Sequence, residues 1–117
     1  MVDDLLIFRH TVDLTIKLTD ILETFPKKYK FTLGDRLMDF ALNLEADAAF
    51  MKRYSIDKTK YGKCANKFAY DYYLFKSVFR IVVEKKLVEL KRITEIVVLM
   101  EKIEEISGID LDFVELL

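Results

Sequence analysis

Few side chains in this sequence could do chemistry, and most of them lack the neighbours that chemistry needs. His10 is the single histidine. It sits near Arg9 and Asp13 with no serine or cysteine at a spacing that would make it the base of a nucleophilic pair, so it reads as a surface or edge residue. Cys64 is the single cysteine and cannot form an internal disulfide, which fits a reducing compartment. It falls on an apolar line where a thiol acts as a small filler. Glu45, Asp47, Asp71 and Glu84 invite comparison with carboxylate-bridged metal bundles. Those bundles need a Glu-x-x-His step on each of two helices, and the pattern is absent here. The four carboxylates are expected to face solvent or to pair with lysines. No glycine-rich phosphate loop, metal-ligand cluster or nucleophile elbow is present in the sequence. The reading is therefore of a protein with no catalytic residue, no metal and no cofactor.

The basic residues say more. Lys27, Lys28 and Lys30 form one group, and Lys52, Arg53, Lys58, Lys60, Lys63 and Lys67 form another, with Tyr29, Tyr54, Tyr61 and Tyr70 among them. Cations that can meet phosphates beside rings on which bases can stack are the parts of a nucleic-acid surface. A solvated, lysine-rich helix face is the alternative that composition leaves open. The formal net charge of −1 hides an asymmetry: Phe25 to Arg92 holds sixteen Lys and Arg against eight Asp and Glu. The first 24 residues have two basic against five acidic side chains, and Ile93 to Leu117 has one against seven.

These residues must be positioned by helices. A chain of 117 residues with 52% apolar and 33% charged residues fits one globular domain, and three glycines and one proline are too few for a β-sandwich or barrel. Ile7, Leu14, Leu18, Ile21 and Phe25 follow one helical face, widened by Leu5, Val12, Ile16 and Leu22, and Pro26 ends the segment. Thr32 reads as the N-cap of a second helix through Leu33, Leu37, Phe40, Ala41, Leu44, Ala48 and Met51. Ser55 or Asp57 caps a third, with Tyr61, Cys64, Phe68, Tyr72, Phe75, Phe79 and Val82 on its core line, running to about Lys86. The fourth carries Ile93, Val97 and Met100 on one stripe and Ile96, Leu99, Ile103 and Ile106 on another, and stops at Gly108. Short links between four such helices predict an all-α, antiparallel up-down-up-down four-helix bundle over residues 1–108. Residues 109–117 form an apolar and acidic tail expected to pack on the bundle or on a neighbouring subunit. The double stripes on the first and fourth helices suggest self-association, unless the two bands merge into one wide buried face. No apolar run reaches the ~18 residues of a membrane span, and the acidic Met1-Val2-Asp3-Asp4 start is unlike a signal peptide, so a cytoplasmic location is expected.

Phe25-Pro26-Lys27-Lys28 followed by Phe31-Thr32-Leu33-Gly34-Asp35-Arg36-Leu37 resembles the segment joining helices one and two in the accessory variability determinant proteins of diversity-generating retroelements. The same signature occurs in the related four-helix-bundle proteins of bacterial ribosomal RNA intervening sequences. The resemblance spans roughly Leu5 to Ser107 and includes the closing Ile103-Glu104-Glu105-Ile106. It implies a homopentameric assembly that assists a reverse transcriptase in copying template RNA into mutagenised cDNA, without catalysis of its own. Nucleic-acid or partner contacts are then expected from Lys27, Lys28, Lys30, Arg36, Lys52, Arg53, Lys58, Lys60, Lys63 and Lys67. Family members are usually strongly basic, and many end in a Gly-Gly-Trp-like run where this chain has Ser107-Gly108-Ile109-Asp110. The other function compatible with the same signature is a structural oligomer of the ribosomal-intervening-sequence type.

Overall fold

The computed structural model describes residues 2–109, and these are all-helical, with four long helices. Helix α1 spans Val2–Glu23, α2 Asp35–Arg53, α3 Lys58–Glu84 and α4 Leu90–Ser107. The longest dimension, 44 Å, is close to the ~40 Å that the 27 residues of α3 need at 1.5 Å per residue.

The core follows the helical spacing of the apolar residues. Ile7, Leu14, Leu18 and Ile21 of α1, with Phe25 beyond its end, are all buried. They meet Leu37, Ala41, Leu44, Ala48 and Met51 of α2, Phe68, Tyr72, Phe75, Phe79 and Val82 of α3, and Ile96, Leu99, Met100 and Ile103 of α4 in one continuous cluster. Each large apolar side chain buried there contributes about 1.5–3 kcal/mol relative to an exposed one. Phe75 and Phe79, stacked with centroids 6.1 Å apart, anchor the middle of α3. Helix α2 packs closely on α3, and α1 on both α2 and α4. A groove of about 680 Å³ runs between α3 and α4, floored by Phe79, Val97 and Met100.

The double stripes resolve differently on the two helices. On α4, Ile96, Leu99, Met100 and Ile103 are buried and Ile93, Val97 and Ile106 pack against them, so the bands merge into one broad face. On α1 the second band splits: Leu22 packs on the core and Val12 is half-buried, while Leu5 is 45% exposed and Ile16 55%.

The helix ends show how local sequence sets each boundary. Thr32 is not an N-cap. Its hydroxyl donates to the Tyr29 carbonyl at 3.3 Å, inside a helical turn Lys27–Tyr29 that continues through a π-helical turn Lys30–Gly34 straight into α2. The cause is Gly34: a Cβ there would meet Leu22 Cδ2 at 3.1 Å and Phe25 Cδ2 at 3.5 Å. The close approach to the end of α1 fixes the path, and the extra residue of the π turn lets the chain take it. Asp57 does cap α3, accepting from the Lys60 amide at 3.1 Å. Helix α3 ends at Glu84, two residues before Lys86, which adopts φ 56°. The Leu87 amide donates to the Val82 carbonyl and the Lys86 amide to that of Val83, the paired bonds of a Schellman ending with lysine at the position glycine usually takes. Gly108, at φ 69°, closes α4 as its sequence position suggests. No helix among the described residues is long and apolar enough to cross a membrane. The tail segment 110–117 lies outside the described residues.

Candidate nucleic-acid interface

All ten basic positions singled out in the sequence are exposed, but they do not form one surface. Lys27, Lys28 and Lys30 lie in the turns leading into α2 and Arg36 in its first turn. Lys85, at the end of α3, joins them: its Nζ lies 5.3 Å from the centroid of the Tyr29 ring, and that of Lys28 lies 5.5 Å from it. Lys52 and Arg53 occupy the last turn of α2, and Lys58, Lys60 and Lys63 the first turns of α3. The 25 residues from Lys60 to Lys85 along one helix place the two groups on the order of 35 Å apart, at opposite ends of the molecule.

The end formed by α2 and α3 is the more organised. Phe50 stacks on Tyr54 with centroids 6.2 Å apart and rings 8° from parallel. Arg53 and Lys60 lie over the Tyr54 ring at 5.9 and 5.1 Å, and Lys52 lies over Phe8 at 5.6 Å. Each such contact contributes about 0.5–1 kcal/mol at an exposed site. Their larger effect is to hold flexible cations beside a ring whose outer neighbour, Phe50, is 48% exposed.

Lys67 stands apart from this group. Its Nζ donates to Asp71 Oδ2 at 2.7 Å and to Asp47 Oδ1 at 3.2 Å, so its ammonium is engaged by a carboxylate pair between helices although the side chain is 59% exposed. Asp47 and Asp71 pair with a lysine, as expected, yet each is only 5% exposed and neither faces solvent. Burial pushes the Asp47 carboxyl up to about 7, reinforced by its hydrogen bond and charge repulsion with Asp71 and opposed by Lys67. The same pair raises the Lys67 ammonium, chiefly through its bond to Asp71. A third buried acid, Asp4 of α1, accepts from the Tyr61 hydroxyl at 2.7 Å. Burial first, and then Asp4, push that phenol up to about 12.

Between α3 and α4, Tyr72 is fully buried and donates to Glu104 Oε2 at 2.8 Å, with Lys76 holding the other oxygen of Glu104 at 3.1 Å. Burial and then Glu104 raise the Tyr72 phenol. His10 is half-buried with no hydrogen-bond partner on its buried Nδ1, and Cys64 packs half-buried against the core.

The buried acids were legible in principle. Asp47 lies three residues after Leu44 and four before Met51, and Asp71 three after Phe68 and four before Phe75. A carboxylate at both helical steps from core residues is on the core face. Lys67, four residues before Asp71, is the partner that helical geometry offers.

Compared with known proteins, the chain matches no protein-family profile, no curated relative and no solved structure.

Proposed function

We propose that this protein is a non-catalytic accessory factor of a diversity-generating retroelement, acting in the cytoplasm as a homo-oligomer that engages a reverse transcriptase and its template RNA or cDNA. The observation that carries this reading is the α2–α3 end, where Arg53 and Lys60 lie over the Tyr54 ring of the stacked Phe50–Tyr54 pair and Lys52, Lys58 and Lys63 are exposed in the adjoining helix turns. Exposed ring faces beside phosphate-binding cations suit unpaired bases better than a duplex, whose bases are already stacked. Contacts to the backbone carry no sequence information, so selectivity for the template comes from the polymerase or from RNA shape.

In this reading the four helices run up-down-up-down. Three cross-helix pairs support that order: Tyr61 with Asp4, both near helix starts; Lys17, late in α1, with Glu95, early in α4; and Lys67 with Asp47 on either side of a short link. Assembly would use the α1–α4 face, where a groove of about 400 Å³ lies between Ile16 and Val98, 55% and 43% exposed. Cyclic symmetry, five-fold by the resemblance, would gather the basic ends of several copies and multiply a modest charge per chain. The same apolar face favours the second reading, a structural oligomer without nucleic acid.

The test is binding of the native protein to template RNA and to the reverse transcriptase separately. The same measurements on a Lys58→Gln/Lys60→Gln/Lys63→Gln variant and on Phe50→Ala complete it. RNA affinity should fall for both variants, with the salt dependence reduced only in the first. An oligomer that binds neither RNA nor polymerase at low salt contradicts the accessory reading and leaves the structural one.

A further inference from the structure

Two acids are enclosed together between α2 and α3 with a single base reaching in to them, and the charges do not balance. Asp47 and Asp71 are each 5% exposed, and Lys67 is the only cation paired with either among the described residues. With both carboxylates ionised, the cluster carries a net charge of −1 where water has little access, an expensive arrangement in a protein interior. Asp47 Oδ2 is also buried without a hydrogen-bond donor. One proton on Asp47 answers both problems. It neutralises the excess charge, and it gives Asp47 a proton to donate toward Asp71, the acid that shares Lys67 with it.

We propose that Asp47, Lys67 and Asp71 form a proton-operated clasp: with a proton on Asp47 the α2–α3 pairing closes over a bonded carboxyl pair, and loss of that proton loosens the pairing beneath Lys52, Arg53 and Lys58 to Lys63. The ionisable groups facing Asp47 from α3 are Asp71 and Lys67. On α1, which packs on the other side of α2, the ionisable groups with buried atoms are Asp4, bonded to Tyr61, and His10.

The direction follows from linkage. Asp47 is raised from 3.8 to about 7 on folding, so the folded chain holds a proton that the unfolded chain releases. Its stabilising contribution is complete below pH 3.8 and is lost as pH rises through about 7. This holds whether or not the protein binds nucleic acid.

The test combines urea unfolding of the native protein and of Asp47→Asn from pH 5 to pH 8 with a carbon-13 carboxyl titration of the native protein. The amide of the Asp47→Asn variant keeps a donor toward Asp71 but cannot titrate. The unfolding constant of the native protein, relative to the variant, should rise about tenfold per pH unit up to about pH 7 and then level off. One aspartate resonance should titrate near 7, and Asp71→Asn should move its midpoint down. A ratio that is flat across the range, no aspartate titrating above pH 6, or a midpoint indifferent to Asp71→Asn overturns the clasp. If Asp47→Asn does not fold, the resonance of the native chain decides alone.

Discussion

The two basic ends of this molecule carry similar charge over different foundations. Beneath Lys27, Lys28, Lys30 and Arg36 the packing is apolar: Leu22 and Phe25 close against Gly34, and Phe25 is buried. Beneath Lys52, Arg53, Lys58, Lys60 and Lys63 lie the Asp47–Lys67–Asp71 cluster and the Tyr61–Asp4 bond, with carboxylates where a core would ordinarily hold leucines. Apolar contact carries no group that titrates. A buried acid does, and its burial cost depends on its protonation. One end is thus built to be constant and the other to respond, and the responsive end carries the stacked aromatic pair.

The largest effect that separates the ends should come from Phe25→Ala, which empties the apolar seal and should cost about 3–5 kcal/mol, equally at pH 5 and pH 8. Denaturant unfolding at both values checks it; a pH-dependent loss would show that this end is not purely apolar in its support. Gly34→Val should cost about 1–3 kcal/mol for the same reason, because its side chain enters space held by Leu22 and Phe25. At the other end, Lys67→Met leaves two buried acids without their cation and should cost about 1–3 kcal/mol, more at pH 8 than at pH 5, where a proton can substitute. Tyr61→Phe removes the donor to Asp4 and should cost about 1–3 kcal/mol. The smallest change should be favourable: Lys86→Gly relieves a left-handed lysine and should add about 0.5–1 kcal/mol, read as a modest rise in Tm.

Much of this arrangement was legible in the sequence because it depends on short-range periodicity. The core line from Phe68 through Tyr72, Phe75 and Phe79 to Val82 and the Gly108 stop follow from spacing within one helix, and the cap was narrowed to Ser55 or Asp57, of which Asp57 is the one used. What was not legible depends on contact between helices. The lead-in to α2 looked like a loop with a threonine cap because Leu22 and Phe25, which press on Gly34, belong to the preceding helix. The two basic groups were assigned to one surface because sequence order does not reveal that the 19 residues of α2 separate Lys30 from Lys52 and carry them to opposite ends. For Asp47 and Asp71 pairing with a lysine was foreseen as one of two outcomes, but their burial was not, because charge outweighed their position on the core spacing. The second apolar band on α1 and that on α4 had the same pattern, and only packing distinguishes the exposed Ile16 from the buried Leu99.

The most direct measurement of the functional claim sets the two ends against each other on single-stranded RNA. Binding and its salt dependence should be compared for the native protein, Lys52→Gln/Arg53→Gln/Lys60→Gln, and Lys27→Gln/Lys28→Gln/Lys30→Gln. At about 0.7 in log–log slope per phosphate contact, the first variant should lose a slope of about 2 and at least tenfold in affinity, while the second keeps most of both. Equal losses from the two variants, or no binding by the native protein at low salt, would contradict the assignment of the α2–α3 end as the nucleic-acid surface.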